Sequence, residues 1–262
     1  MSEKVTAVSI RIGSIFVLLI LWHFVAIAMS DAEILPTPIA IAHAMVGILV
    51  EPGPEGKSAF FHMGVTLGRT FVTFGVAMVL GIAIGLAMGL KKVVEHSVMA
   101  LIPLALTMPT ILMVFLAVMW FGFSEIGSLV AVIGVVTPYV AVNIFQGTKA
   151  MDKSLIDMAI TFRADRNMLI RKVYIPQLLP YIFSAFRFAF GMTWKIVALA
   201  ETFGIKYGIG YMFFFWFEQF NMELVLAWII LFVILMLVLE HAVFARIEHA
   251  AFKWRPANKL QT

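Results

Sequence analysis

This sequence predicts an all-α polytopic membrane protein of about six transmembrane helices, and three observations predict it. Of its 262 residues 62% are hydrophobic and 13% charged, with a mean hydropathy of +1.00, whereas about a quarter of the residues of a water-soluble domain are charged. The apolar residues gather into runs of about 20, the length a helix needs to cross ~30 Å of hydrocarbon. The later charges concentrate in one island, Thr148 to Pro180, which holds Lys149, Asp152, Lys153, Asp157, Arg163, Asp165, Arg166, Arg171 and Lys172. The length leads us to expect one transmembrane domain, residues 1–262, without room for an attached soluble catalytic domain. The absence of cysteine excludes disulfide frameworks, cysteine-ligated zinc and thiol catalysis.

Taken in order, Ile10 to Met29 is the first span, interrupted only by Arg11 and His23. Lys4, Arg11 and Ala26-Ile27-Ala28 imitate a cleaved signal peptide, but the further spans that follow favour a retained anchor. Ile34-Leu35-Pro36-Thr37-Pro38 is a rigid extended lead into the amphipathic stretch Ile39 to Val50, and residues 51–56, EPGPEG, read as an exposed loop. Val65 to Leu90 is the second span. Its Gly81, Gly85 and Gly89, at four-residue spacing, let another helix approach closely. Val98 to Phe121 is the third, with Pro103 and Pro109 inside it, and residues 122–128 make a short turn. Leu129 to Phe145 is the fourth span, Tyr181 to Ala200 the fifth and Leu224 to Val243 the sixth, with the aromatic segment Tyr207 to Phe220 before it.

Within the charged island Leu155, Ala159 and Phe162 fall at i, i+4 and i+7, and Leu169 and Val173 repeat the i, i+4 step. This spacing predicts two short amphipathic helices, with Asp152 and Asp165 as N-caps and Pro176 as the stop of the second. With the N-terminus cytoplasmic, 14 of the 19 lysines and arginines fall on inside segments: Lys4, Arg11, Lys91, Lys92, Lys149, Lys153, Arg163, Arg166, Arg171, Lys172, Arg246, Lys253, Arg255 and Lys259. Both termini and the charged hairpin are therefore expected inside the cell.

The hairpin resembles the cytoplasmic loop of permease subunits of binding-protein-dependent ATP-binding cassette (ABC) importers. That loop carries Glu-Ala-Ala, three residues, Gly, nine residues, then Ile-X-Leu-Pro; here the register gives Asp157-Met158-Ala159, Arg163 and Val173-Tyr174-Ile175-Pro176. Met158 is bulkier than the usual Ala, and Arg163 stands where Gly normally frees the turn. LPYIFSAFRFAFGMTW, ALAETFGIKYGIGYM and the early Leu-Pro-Thr-Pro resemble the nitrate, sulfonate and taurine branch, and the likeness covers essentially the whole chain. It implies a type I importer permease fold. Leu155, Asp157, Met158, Ala159, Phe162, Arg163, Val173, Ile175 and Pro176 would form the docking surface for an ATPase.

The implied partners are a second copy of the chain, two ATPase subunits, an extracytoplasmic solute-binding protein and membrane lipid, with no nucleic acid. The implied location is a bacterial inner membrane. The chain lacks a Gly-x-x-x-x-Gly-Lys-Ser/Thr sequence, so it is expected to bind no cofactor itself, ATP and Mg residing on the ATPase.

Ionisable residues inside spans are the remaining candidates. Arg187 matches a recurring family arginine and is placed to snorkel as an anchor. Lys195 lies deeper, about 80° from Arg187 around an ideal helix, where it would attract an anionic solute. Glu201 lies about 120° from Lys195, which argues against an intrahelical pair and for a neighbouring helix or an outer gate. Gly208, Gly210 and Tyr211 belong to the segment expected near that gate. Lys195 and Glu201 also sustain an alternative class, an ion-coupled secondary transporter. His43, His62 and His96 are scattered without metal-binding spacing, and no cluster of His, Asp or Glu supports a membrane-embedded enzyme.

Overall fold

A computed structural model describes residues 2–31, 33–203 and 205–251; the expected cytoplasmic charges Lys253, Arg255 and Lys259 lie outside them, and side chains are described neither for residues 1–8 and 11–12 nor from 243 on. Among the described residues the chain is all helix and turn: α1 (Ser2–Met29), α2 (Pro38–Val50), α3 (Ala59–Leu90), α4 (Lys92–Thr107), α5 (Thr110–Phe121), α6 (Glu125–Lys149), α7 (Lys153–Thr161), α8 (Arg166–Met168), α9 (Ile175–Thr202), α10 (Ile209–Glu218) and α11 (Met222–Ala251). Four stretches are long and apolar enough to cross a membrane: Ala59–Leu90, Glu125–Lys149, Arg166–Thr202 and Met222–Ala242. The bent pair α4–α5 adds a fifth if it counts as one span, while α1 is apolar only over the shorter Gly13–Met29, so the described residues give four or five spans where the sequence reading expects about six.

The expected third span, Val98 to Phe121, is corrected. It is broken after Thr107, and α4 and α5 meet at 103°. Met108, held extended at φ −65° and ψ 126°, precedes Pro109. A residue before proline is driven out of the helical region, so Pro109 rather than Pro103 ends the helix.

Contacts divide the chain into two compact units. One comprises the residues up to Val65 together with Tyr207–Leu235. In it Thr37 caps α2, its hydroxyl accepting from the Ala40 N–H at 3.2 Å, with Pro38 in the first turn where its missing N–H costs nothing. Here also His62, 1% exposed, accepts at Nδ1 from the Gly208 N–H (3.2 Å) and lies among the rings of Phe61, Tyr207, Tyr211 and Trp228.

The other unit comprises Thr66–Lys206 and the residues from Met236 on, and is built around α6. Its core interleaves Val132, Val136, Val140 and Ile144 of α6 with Ala185, Ala189 and Phe190 of α9 and Phe74 and Ala77 of α3. The glycine stripe does what its spacing predicts. A Cβ on Gly85 would stand 2.6 Å from the Ala141 carbonyl oxygen and 2.7 Å from the Ile144 Cβ; one on Gly81 would meet Val140, and one on Gly89 Thr148. Hydrogen at these three positions is what allows α3 and α6 to touch backbone to backbone.

The charged island is corrected in one respect. Asp152 and Asp165 cap as expected, their Oδ1 atoms accepting from the Ser154 and Met168 N–H groups, both at 2.8 Å. Pro176, however, does not stop the second helix. Leu169–Tyr174 is a π-helical stretch, with the Ile175 N–H donating to the Ile170 carbonyl, and it runs from α8 directly into α9. Pro176 falls in the first turn of α9, and the wide turns before it let the chain continue without the N–H that proline lacks.

Between α7 and α8 the chain turns through a Schellman motif. The Arg163 N–H donates to the Ile160 carbonyl (2.9 Å) and the Ala164 N–H to the Ala159 carbonyl (3.0 Å), and Arg163 is left-handed at φ 54°.

Two outcomes follow from this packing. Gly85→Val is expected to lower stability by roughly 1–3 kcal/mol through overpacking, read as a reduced melting midpoint in detergent. Arg163→Gly is expected to raise hairpin stability by about 1 kcal/mol, because a left-handed side-chain-bearing residue costs ~1–2 kcal/mol, read as slower proteolysis at α7.

Candidate functional site

Two groupings of residues qualify as functional, one exposed and one buried. The exposed one is α7 and the turn after it. Asp152 begins it, and the Ser154 hydroxyl and N–H hold its carboxyl below the usual carboxylate range. The Asp152 N–H donates to Gln177 Oε1 at 2.7 Å, which ties the start of α7 to the start of α9. At the far end the Thr161 hydroxyl donates to the Asp157 carbonyl (2.8 Å) and the Schellman turn closes the helix.

Along this frame Leu155, Met158 and Phe162 are exposed, Phe162 at 81%, while Ala159 is half-buried. Asp157 and Arg163 are exposed. Val173 and Pro176 are half-buried beside the exposed Ile175, on the π-helical stretch and the first turn of α9. An apolar strip of this kind on a short helix ringed by charge is unusual for a solvated loop, which gains nothing by holding large side chains at helical spacing.

The buried grouping centres on Glu201. Its side chain is 0% exposed, and the Thr66 hydroxyl donates to both its oxygens, at 3.0 and 2.9 Å. Arg69 Nη1 donates to Glu201 Oε1 at 2.8 Å. The same guanidinium reaches outward: Nε donates to Glu125 Oε2 at 2.7 Å, Nη2 binds Glu125 Oε1, and Nη2 also donates to the Lys206 carbonyl at 3.0 Å. Thr70 and Thr73, fully buried in α3, return their hydroxyls to the Thr66 and Arg69 carbonyls. One arginine thus joins α3 to the start of α6, the end of α9 and the segment after it.

Glu201 therefore meets a neighbouring helix, one of its two expected alternatives. Arg187 and Lys195 are not drawn into this network. Both are exposed on α9 and form no ion pair among the described residues, and the Lys195 Nζ lies 5.3 Å from the centre of the Trp194 ring. Gly208, Gly210 and Tyr211 sit in the other unit. Gly208, at φ 112°, supplies a backbone that a side chain would strain; Gly210 is buried inside α10 and needs no such freedom; Tyr211 stacks on His62 with rings 9° from parallel. Among the described residues no three of His, Cys, Asp and Glu converge to hold a metal.

Arg69, Thr66, Glu125 and His62 went unselected by the sequence reading. For Arg69 the available signal was an arginine within the first turns of an apolar span, which calls for a counter-charge. Because Arg69 keeps Glu125 as counter-charge, Glu201→Ala is expected to cost roughly 1.5–3 kcal/mol through loss of the buried charged hydrogen bonds to Arg69 and Thr66. Lys195→Ala is expected to stay within about 0.5 kcal/mol. Both are read as melting midpoints of the purified protein.

Residues 77–249 match the family described as binding-protein-dependent transport system inner membrane component. The taurine transport system permease protein TauC of Escherichia coli (strain K12) is 27% identical over 206 residues, covering 78% of this chain and 75% of that protein. The formylaminopyrimidine transport permease protein ThiX of Halalkalibacterium halodurans is 28% identical over 240 residues, covering 91% and 92%. In fold, a chain of the MetNI methionine ABC transporter, solved in inward facing conformations, superposes with a TM-score of 0.60 at 19% identity, over 71% of this chain and 92% of that one. With its apolar helices and its match over residues 77–249, the chain belongs to this family, and is an integral inner-membrane permease component of a binding-protein-dependent transport system rather than an enzyme.

Proposed function

We propose that this chain forms the translocation pathway of an ATP-driven ABC importer, paired with a second copy of itself and seated through α7 on two ATPase subunits. The observation that carries this reading is the uncovered apolar strip of Leu155, Met158 and Phe162 on a capped, charge-ringed helix. A cleft on an ATPase would bury that strip, and the tie from Asp152 to Gln177 would pass its movement to α9. ATP and Mg would be held by that ATPase, and an extracytoplasmic binding protein would deliver the solute.

The hairpin and both termini face the cytoplasm in this reading, which is supported by the exposed Lys149, Lys153, Arg163, Arg166, Arg171 and Lys172. The solute is small and anionic. Support for this comes from the taurine relative, whose named solute carries a sulfonate, and from Lys195, exposed on α9 where it can attract an anion. Ion coupling through Lys195 and Glu201 is disfavoured, because Glu201 is engaged by Arg69 and Thr66 while Lys195 stands apart.

In proteoliposomes holding permease, ATPase and binding protein, Asp157→Lys or Ala159→Trp is expected to reduce ATP-coupled uptake roughly tenfold, the equivalent of ~1.4 kcal/mol of docking, while the ATPase keeps its own turnover. Unchanged coupled uptake in both variants, or gradient-driven uptake by the permease alone, overturns the reading.

A further inference from the structure

Arg69 is served by two carboxylates of different standing. Glu201 is fully buried and already neutralises the guanidinium from the inner side, at 2.8 Å. Glu125 takes the opposite edge side-on, both its oxygens on Nε and Nη2, yet its side chain is 59% exposed where that of Arg69 is 6% exposed. A pair with one largely solvated partner contributes little to stability, and the first turn of α6 accounts for an acidic residue at this position but not for its side-on grip on a buried arginine.

What the grip does resemble is ligand recognition. A guanidinium edge binds two oxygens of one planar or pyramidal oxyanion with two parallel bonds. Nη2 of that edge also donates to the Lys206 carbonyl at 3.0 Å, which holds the guanidinium in place.

We propose that the outer edge of Arg69 is an oxyanion-binding site for the transported solute, and that Glu125 is a tethered stand-in occupying it when solute is absent. The inference rests on the importer reading, to which it adds the residue that recognises the solute: a carboxylate, sulfonate or similar group displaces Glu125 and takes over its two bonds. Glu201 keeps the guanidinium fixed throughout. A tethered competitor acts at millimolar effective concentration and weakens solute binding by the fraction of time that it occupies the edge.

The test is calorimetric titration of methanesulfonate and benzoate into purified permease in lipid nanodiscs, with melting midpoints recorded alongside. Glu125→Gln is expected to tighten binding of at least one of the two anions about tenfold. Adding Arg69→Lys, which preserves a charge for Glu201 but loses the two-bond edge, is expected to remove that gain. Glu125→Gln alone decides the matter should the double variant not fold. Affinity unchanged in Glu125→Gln, with or without a lowered melting midpoint, makes Glu125 a structural partner and overturns the proposal, as does a gain that survives Arg69→Lys. ATP-driven uptake by the complete importer is measured separately. Anion uptake with no change in affinity in Glu125→Gln defeats this site and leaves the importer reading standing, while tightened binding without ATP-driven uptake does the reverse.

Discussion

A carboxylate with no exposure at the end of an apolar helix must bring its counter-charge with it, and much of the larger unit is arranged to meet that demand. Removing one ionised group from water costs several kcal/mol even after relaxation, so Glu201 fixes where Arg69 must be, and Arg69 fixes how α3 lies along α9. Thr66, one turn before Arg69, adds its hydroxyl to the same carboxylate. With α3 held at that height, Gly81, Gly85 and Gly89 fall opposite Val140, Ile144 and Thr148, and α3 can sink onto α6. Electrostatics sets the register, and small residues then convert it into close packing.

The hairpin obeys the opposite economy. Its turns are held by local partners, Asp152 and Asp165 at two helix starts and the Schellman pair at the end of α7, with longer ties from Asp152 to Gln177 and from Lys149 to Glu95. Its shape is therefore set from within, and its large apolar side chains are not consumed in holding it together. That separation of frame from surface distinguishes a presentation element from a core element. It also explains how Arg163 can stand at a left-handed position: the paired hydrogen bonds around it hold the turn against its strain.

Features encoded locally were readable from residues alone. The spans, the two aspartate caps, the glycine stripe and the amphipathic spacing of α7 each depend on residues within a turn or two of one another, where composition and period suffice. Features decided at a distance were not. Pro103 and Pro109 look alike in the sequence, and only the extended Met108 separates the tolerated proline from the breaking one. Pro176 carries the same helix-stopping chemistry, yet the π-helical turns before it absorb the missing donor. The partnership of Arg69 with Glu201 joins residues 132 positions apart, and the role of His62 as acceptor for Gly208 joins residues 146 apart. Neither separation leaves a periodic trace.

The continuity of residues 166–202 has a mechanical consequence. As one helix of 37 residues it is a shaft about 55 Å long, with no loop between the polar hairpin and the buried carboxylate near its other end. Such a shaft does not fold like a hinge; it conveys torque and axial thrust. Its slack resides in the π-helical turns at Leu169–Tyr174, where the bore is widest and the hydrogen bonding least regular.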